Sequence, residues 1–235
     1  MLNEIELKEI ITDPEKLSDW CEVVHPQKDG QLVQQIIREL KACIRANNLE
    51  YLTAPQIGYN KRIFCINFGN NDIRTYINAS IYNMAKMTIA RETCNSIPNK
   101  RFIIPRYDMI EFIYYKPLGK DPEAAKVYGR TAHIVSHCVE HLDGLITSDV
   151  GLEIDDDFDN ATDAEREEVI KMYLESLDIR QKQLREEIDN NEELKKMDDA
   201  INFMESVRKG ETILEPVDRK VEDEKSENTE KFING

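Results

Sequence analysis

His137 and His141, in the stretch TAHIVSHCVEHLDG, and five scattered cysteines are the residues whose types and spacing could do chemistry. On a helix, positions i and i+4 project from one face a turn apart, so both imidazoles can reach one ion. Taken alone, the pair fits two ordinary helix histidines as well. His133 lengthens the row, but three histidines spanning two turns cannot converge on one ion without breaking the helix. Cys21, Cys43, Cys65, Cys94 and Cys138 are widely spaced, odd in number and free of any CxxC pair. They read as reduced thiols, with Cys21, Cys43 and Cys65 as small core residues and one other thiol available to a metal.

Elements that could position these groups follow from hydrophobic period. Leu32, Ile36, Leu40 and Ile44 recur at four-residue spacing and predict an amphipathic helix over 31–47. Residues 61–68 and 73–78 are β-branched and aromatic runs on either side of Gly69-Asn70-Asn71-Asp72, a hairpin pattern. Residues 101–115 read as further strand, with Pro105 expected at an edge or bulge. A helix then carries the histidines, with Ala132, Val135, Val139 and Leu142 as its apolar stripe and Asp143-Gly144 as its stop. A helix, several strands and a histidine-bearing helix make an α+β fold.

Charge divides the chain. Residues 151–235 hold 27 acidic against 13 basic side chains, a net −14 of the whole-chain −15. The predicted organisation is therefore a domain over 1–150, an acidic helical extension over 151–215 and a flexible tail over 216–235 too polar to fold alone. Within the extension, Thr162 to Glu165 fits a capping box, and two antiparallel helices are expected at about 162–189 and 192–209. Their apolar stripe has three possible uses: packing on its own domain, pairing with a second copy as a homo-oligomer, or receiving a partner helix. The acidic balance argues against direct nucleic-acid binding. With no export-type or spanning apolar segment, a cytoplasmic protein without membrane contact is expected.

Three ordered motifs give the metal reading its context. HCVEHLDG followed by Leu145-Ile146 resembles the HExxHLDG signature of polypeptide deformylases. Thr53-Ala54-Pro55-Gln56-Ile57-Gly58 is similar to that family's GxGxAAPQxG segment, and Glu92-Thr93-Cys94-Asn95-Ser96-Ile97-Pro98 to its EGCLSxP segment. Ile77-Asn78-Ala79 stands where the family has Leu-Asn-Pro, and the resemblance covers about residues 14–150. It implies mixed or antiparallel β-sheets around a central metal-binding helix. The helical hairpin would be an addition.

The same resemblance implies Cys94, His137 and His141 as ligands, with a fourth tetrahedral position open. Fe(II) is the family's usual metal, and Zn(II), Ni(II) or Co(II) also suit this set. The family hydrolyses the formyl group from N-formylmethionyl peptides, so a peptide or formyl-peptide N-terminus is the implied ligand. Gln56 and the Asn95 backbone N–H match its oxyanion donors. Its general base, however, is replaced here by Cys138. Glu140 flanks the ligand direction by about 80° on the opposite side from Cys138 and matches a family aspartate instead. Leu49, Tyr51 and Thr93 stand at glycine positions, implying a narrower groove. His133 is expected to contact Glu92 in place of a family arginine, supporting the ligands, with plain core packing as the other reading. Activity is expected to be weak or lost, the alternative being a non-catalytic homologue used for recognition or regulation.

Overall fold

The run Ile63-Phe64-Cys65-Ile66 is apolar without alternation because both faces of its strand are covered. In the computed structural model, which describes residues 7–25 and 28–190, helix α1 (Gly30–Ala46) lies on one face and helix α2 (Gly129–Leu142) on the other. Strand β2 (Ile63–Asn67) sends Ile63 and Cys65 to the α1 side, where Val33, Ile36, Leu40 and Ile44 meet them. Phe64 and Ile66 go to the α2 side, among Tyr76, Phe112, Val135 and Leu142. Period-two side-chain direction thus makes one strand serve two cores.

Strands β1 (Tyr51–Thr53), β2, β3 (Ile73–Cys94), β4 (Ile97–Tyr115) and β5 (Glu123–Tyr128) pair in chain order, all antiparallel. A sixth, β6 (Leu152–Ile154), joins β4 beside Arg101–Ile103. The short helices α3 (Thr147–Val150) and α4 (Asp156–Asn160) flank β6, and α5 (Asp163–Asn190) follows. Thr162 and Glu165 form the expected reciprocal cap, each backbone N–H bonding the other's side chain. No helix among the described residues is long and apolar enough to cross a membrane.

Two findings extend the sequence expectations. The strand expected at 73–78 continues to Cys94, past a bulge at Asn78, whose side-chain amide clamps the Val24 backbone in both directions (2.9 and 2.7 Å). Pro105 does not interrupt β4. It pairs opposite Ile89 on one side, while the other side falls between the β6-paired stretch ending at Ile103 and the β5-paired stretch starting at Met109. Lacking an N–H, proline is tolerated where the ladder makes no demand.

The chain divides into compact units at Tyr173/Leu174, so the first unit runs past the change in charge near Gly151. The helix expected at 192–209 and the tail at 216–235 lie outside the described residues.

Buried Arg62 ties the end of α2 to the sheet. Its guanidinium donates to the Leu142 carbonyl (3.1 Å), the Asp143 carboxylate (2.7 Å) and the Ala79 carbonyl (3.1 Å). The chain then reverses at Gly144 with φ +75, and a β-carbon there would collide with the Ser18 carbonyl. Gly144→Ala is expected to cost about 1–3 kcal/mol. Thermal unfolding should show the midpoint falling by about 3–10 °C.

Candidate metal centre

Strand parity decides what faces α2. Leu52 belongs to the α1-side core and Tyr51 to the α2-side core, so Thr53 shares the α2 side with Tyr51. Just beyond, a short 3-10 turn (Pro55–Ile57) ends at Gly58 in the left-handed region, φ +89. This turn folds Gln56 back onto the strand. The Thr53 N–H and hydroxyl both donate to Gln56 Oε1 (3.0 and 3.1 Å). With the oxygen so engaged, Nε2 turns to the site, donating to Ser96 Oγ (3.1 Å) and lying 3.9 Å from Cys94 Sγ.

Cys94 closes β3, and Asn95-Ser96 is the two-residue turn into β4. Across the site, α2 presents His137 and His141 from successive turns. Cys94 Sγ and one nitrogen of each histidine all lie within 4.8 Å of one another, and all three residues are buried. Cys94 Sγ is 3.2 Å from His141 Nε2. Burial pushes the Cys94 thiol up, but hydrogen bonds and charge from His137 and His141 outweigh it and bring the pKa down to about 5. A thiolate is the form that ligates metals.

His137 Nδ1 is 3.1 Å from Glu92 Oε2. Glu92 is a carboxylate: burial would raise its pKa, yet hydrogen bonds from Arg106 and His137 hold it down at about 2. It accepts a hydrogen bond from Nδ1. Burial alone would lower the His137 pKa, but Cys94 and Glu92 together raise it to about 9; a bound ion would take the place of the Nε2 proton. Arg106 grips Glu92 with Nε and Nη2 (2.7 and 2.9 Å) and Glu140 with Nη1 and Nη2, the latter at 2.8 Å. Burial disfavours its charge, but the two carboxylates overcome that and raise its pKa. The expected His133–Glu92 contact is not present. His133 Nε2 instead pairs with Asp108 (3.1 Å) at the margin of the helix. His133 stands one helical turn before His137 on α2, and the cation that Glu92 needs arrives from β4.

The polypeptide deformylase family profile matches residues 7–154, well over half of the chain. The chain belongs to the polypeptide deformylase family. A peptide deformylase of Dictyoglomus turgidum is 28% identical over 127 residues, covering 54% of this chain and 82% of that protein. One from Fusobacterium nucleatum is 34% identical over 96 residues, 40% of this chain and 55% of the relative. Among solved structures, the peptide deformylase of Thermotoga maritima superposes with a TM-score of 0.56 at 24% identity, covering 62% of this chain and 97% of that one. At that identity the structural likeness speaks to the fold.

As a deformylase-family site, the donor set fits a divalent transition metal. One soft thiolate and two imidazoles, one of them oriented by Glu92, match an open tetrahedral site. His141 Nδ1 is buried without a hydrogen-bond partner among the described residues. Cys138 follows His137 and shares a buried cluster with Tyr51. Its side chain is fully buried in the core cluster with Phe64, Tyr76 and Phe112. Burial, with Cys65, Glu92 and Cys94 adding negative charge, drives its pKa well above the ordinary thiol value.

Arg106 and Thr53 were not singled out by sequence reasoning. The signal for Arg106 was the charged residue after Pro105 inside the otherwise apolar stretch Phe-Ile-Ile-Pro-Arg-Tyr. Thr53 carried none, because its role depends on how the next turn folds.

Arg106→Met would leave Glu92 buried and charged without its guanidinium. An expected loss of about 3–5 kcal/mol in denaturant unfolding measures that dependence. Glu92→Gln is expected to weaken metal affinity about 10–100-fold in chelator competition, whereas Cys138→Ala should leave it unchanged.

Proposed function

We propose that this deformylase-family protein keeps the family's metal centre at Cys94, His137 and His141 but hydrolyses N-formylmethionyl peptides weakly or not at all. The carrying observation is Cys138: the side chain at the general-base position is a fully buried thiol that burial holds in its protonated form. Fe(II) is the proposed metal, by kinship, with Zn(II), Ni(II) and Co(II) also suited to the ligands. Five unpaired thiols fit a reducing compartment such as the cytoplasm.

When bound, such an ion would supply a Lewis acid that makes water acidic and polarises a formyl oxygen. The chain's own contribution is otherwise partial. Gln56 Nε2, held by Thr53 and aimed toward Cys94, can donate to an oxyanion, as can the Asn95 backbone N–H beside the thiolate. Among the described residues, no carboxylate stands ready to take the water's proton. Glu140 has both oxygens engaged by Arg106, and Glu92 both by Arg106, one also by His137. Loss of a general base costs about 10²–10⁴ in rate.

A second reading, a non-catalytic homologue used for recognition or regulation, is favoured by burial, which closes the site groups off from solvent. Gln56, Cys94, His137 and His141 are at most 3% exposed. A small formyl ester separates the two, since it requires no peptide groove. With metal content measured in both proteins, Cys138→Glu is expected to raise ester hydrolysis about 10²-fold or more over the native chain. Metal at full occupancy with no gain from the substitution supports recognition. Native hydrolysis as fast as the variant's overturns the weak-hydrolase reading.

A further inference from the structure

We infer that Tyr51 decides which molecules reach the ion, admitting ligands of a few atoms and excluding a peptide chain end. The inference rests on the metal reading above and deepens it. Tyr51 is 6% exposed. Its ring meets His137 edge-on, centroids 4.9 Å apart at 62°, which is ordinary ring contact and leaves no passage between them. The ring fills the space between β1 and His137 that a residue without a side chain would leave open.

The phenol is also anchored at its far end. Its O–H donates to the Thr93 carbonyl (3.1 Å), linking β1 to the strand that ends in Cys94. The hydroxyl oxygen is 3.4 Å from His137 Nε2, the nitrogen that Glu92 leaves facing the ligand cluster. Ligand atoms about 2.0–2.3 Å from a tetrahedral ion lie roughly 3.3–3.7 Å from each other. The phenol oxygen thus stands as near Nε2 as a neighbouring ligand would. Tyr51 is a gate made of one side chain, with its latch on the Thr93 carbonyl.

The test uses one metal-binding group in two sizes. Full-length protein is loaded with Co(II), and its visible bands are titrated with acetohydroxamate and with a methionyl-peptide hydroxamate. In the native chain acetohydroxamate is expected to shift the bands and the peptide hydroxamate to leave them unchanged. Tyr51→Gly should bind the peptide hydroxamate at least about tenfold more tightly than native, and Tyr51→Ala should follow it. Tyr51→Phe keeps the ring and should exclude the peptide form like native. Equal peptide-hydroxamate binding by native and Tyr51→Gly overturns the gate, as does opening by Tyr51→Phe or failure of acetohydroxamate to bind the native chain. Absence of thiolate–cobalt bands in every variant overturns the metal reading itself, a distinct result.

Discussion

A single buried guanidinium holds the site together. Arg106 comes from the middle of β4, Glu92 from β3 and Glu140 from α2, so one side chain ties together the three elements whose relative placement defines the centre. Burying such a charge is costly unless every hydrogen-bonding direction is met by a partner of opposite sign. Here two carboxylates meet it, and one of them also accepts from His137. The orientation of a metal-facing nitrogen is therefore inherited from an ion pair on the sheet.

Around that anchor, two positions bear on the proposed loss of hydrolysis for different physical reasons. Cys138 replaces a group that needs charge with one that burial keeps neutral. It suits the aromatic cluster of Phe64, Tyr76 and Phe112 as a small apolar filler. Tyr51 puts an aromatic ring on the inward side of β1, where its hydroxyl finds a carbonyl acceptor and so escapes the penalty of an unpaired buried polar atom. Both residues are well accommodated by their surroundings, and the centre sits in a tightly packed core.

The ligand helix was legible before any coordinates. The i, i+4 histidines, the apolar stripe at Ala132, Val135, Val139 and Leu142 and the Asp-Gly stop are local facts, and α2 runs Gly129–Leu142. The hairpin around Gly69–Asp72 and the cap at Thr162 were local too. Less visible were the outer half of β3 and all of β5. Met84, Met87, Lys126 and Tyr128 lie exposed or half exposed on long paired strands, so their apolar and polar residues do not sort by period. Long-range pairing supplied that order.

Sequence by itself determined the kinship, the spacing of the candidate ligands, the missing carboxylate at 138 and the division of charge, because each depends on residue identity at fixed positions along the chain. Tertiary structure alone decided that Arg106 and not His133 serves Glu92, that Thr53 turns the Gln56 amide, and that Tyr51 rests on His137. Those three contacts join residues on different strands, turns and helices. Strand register and side-chain direction choose such partners, and neither quantity exists until the sheet has closed against α2.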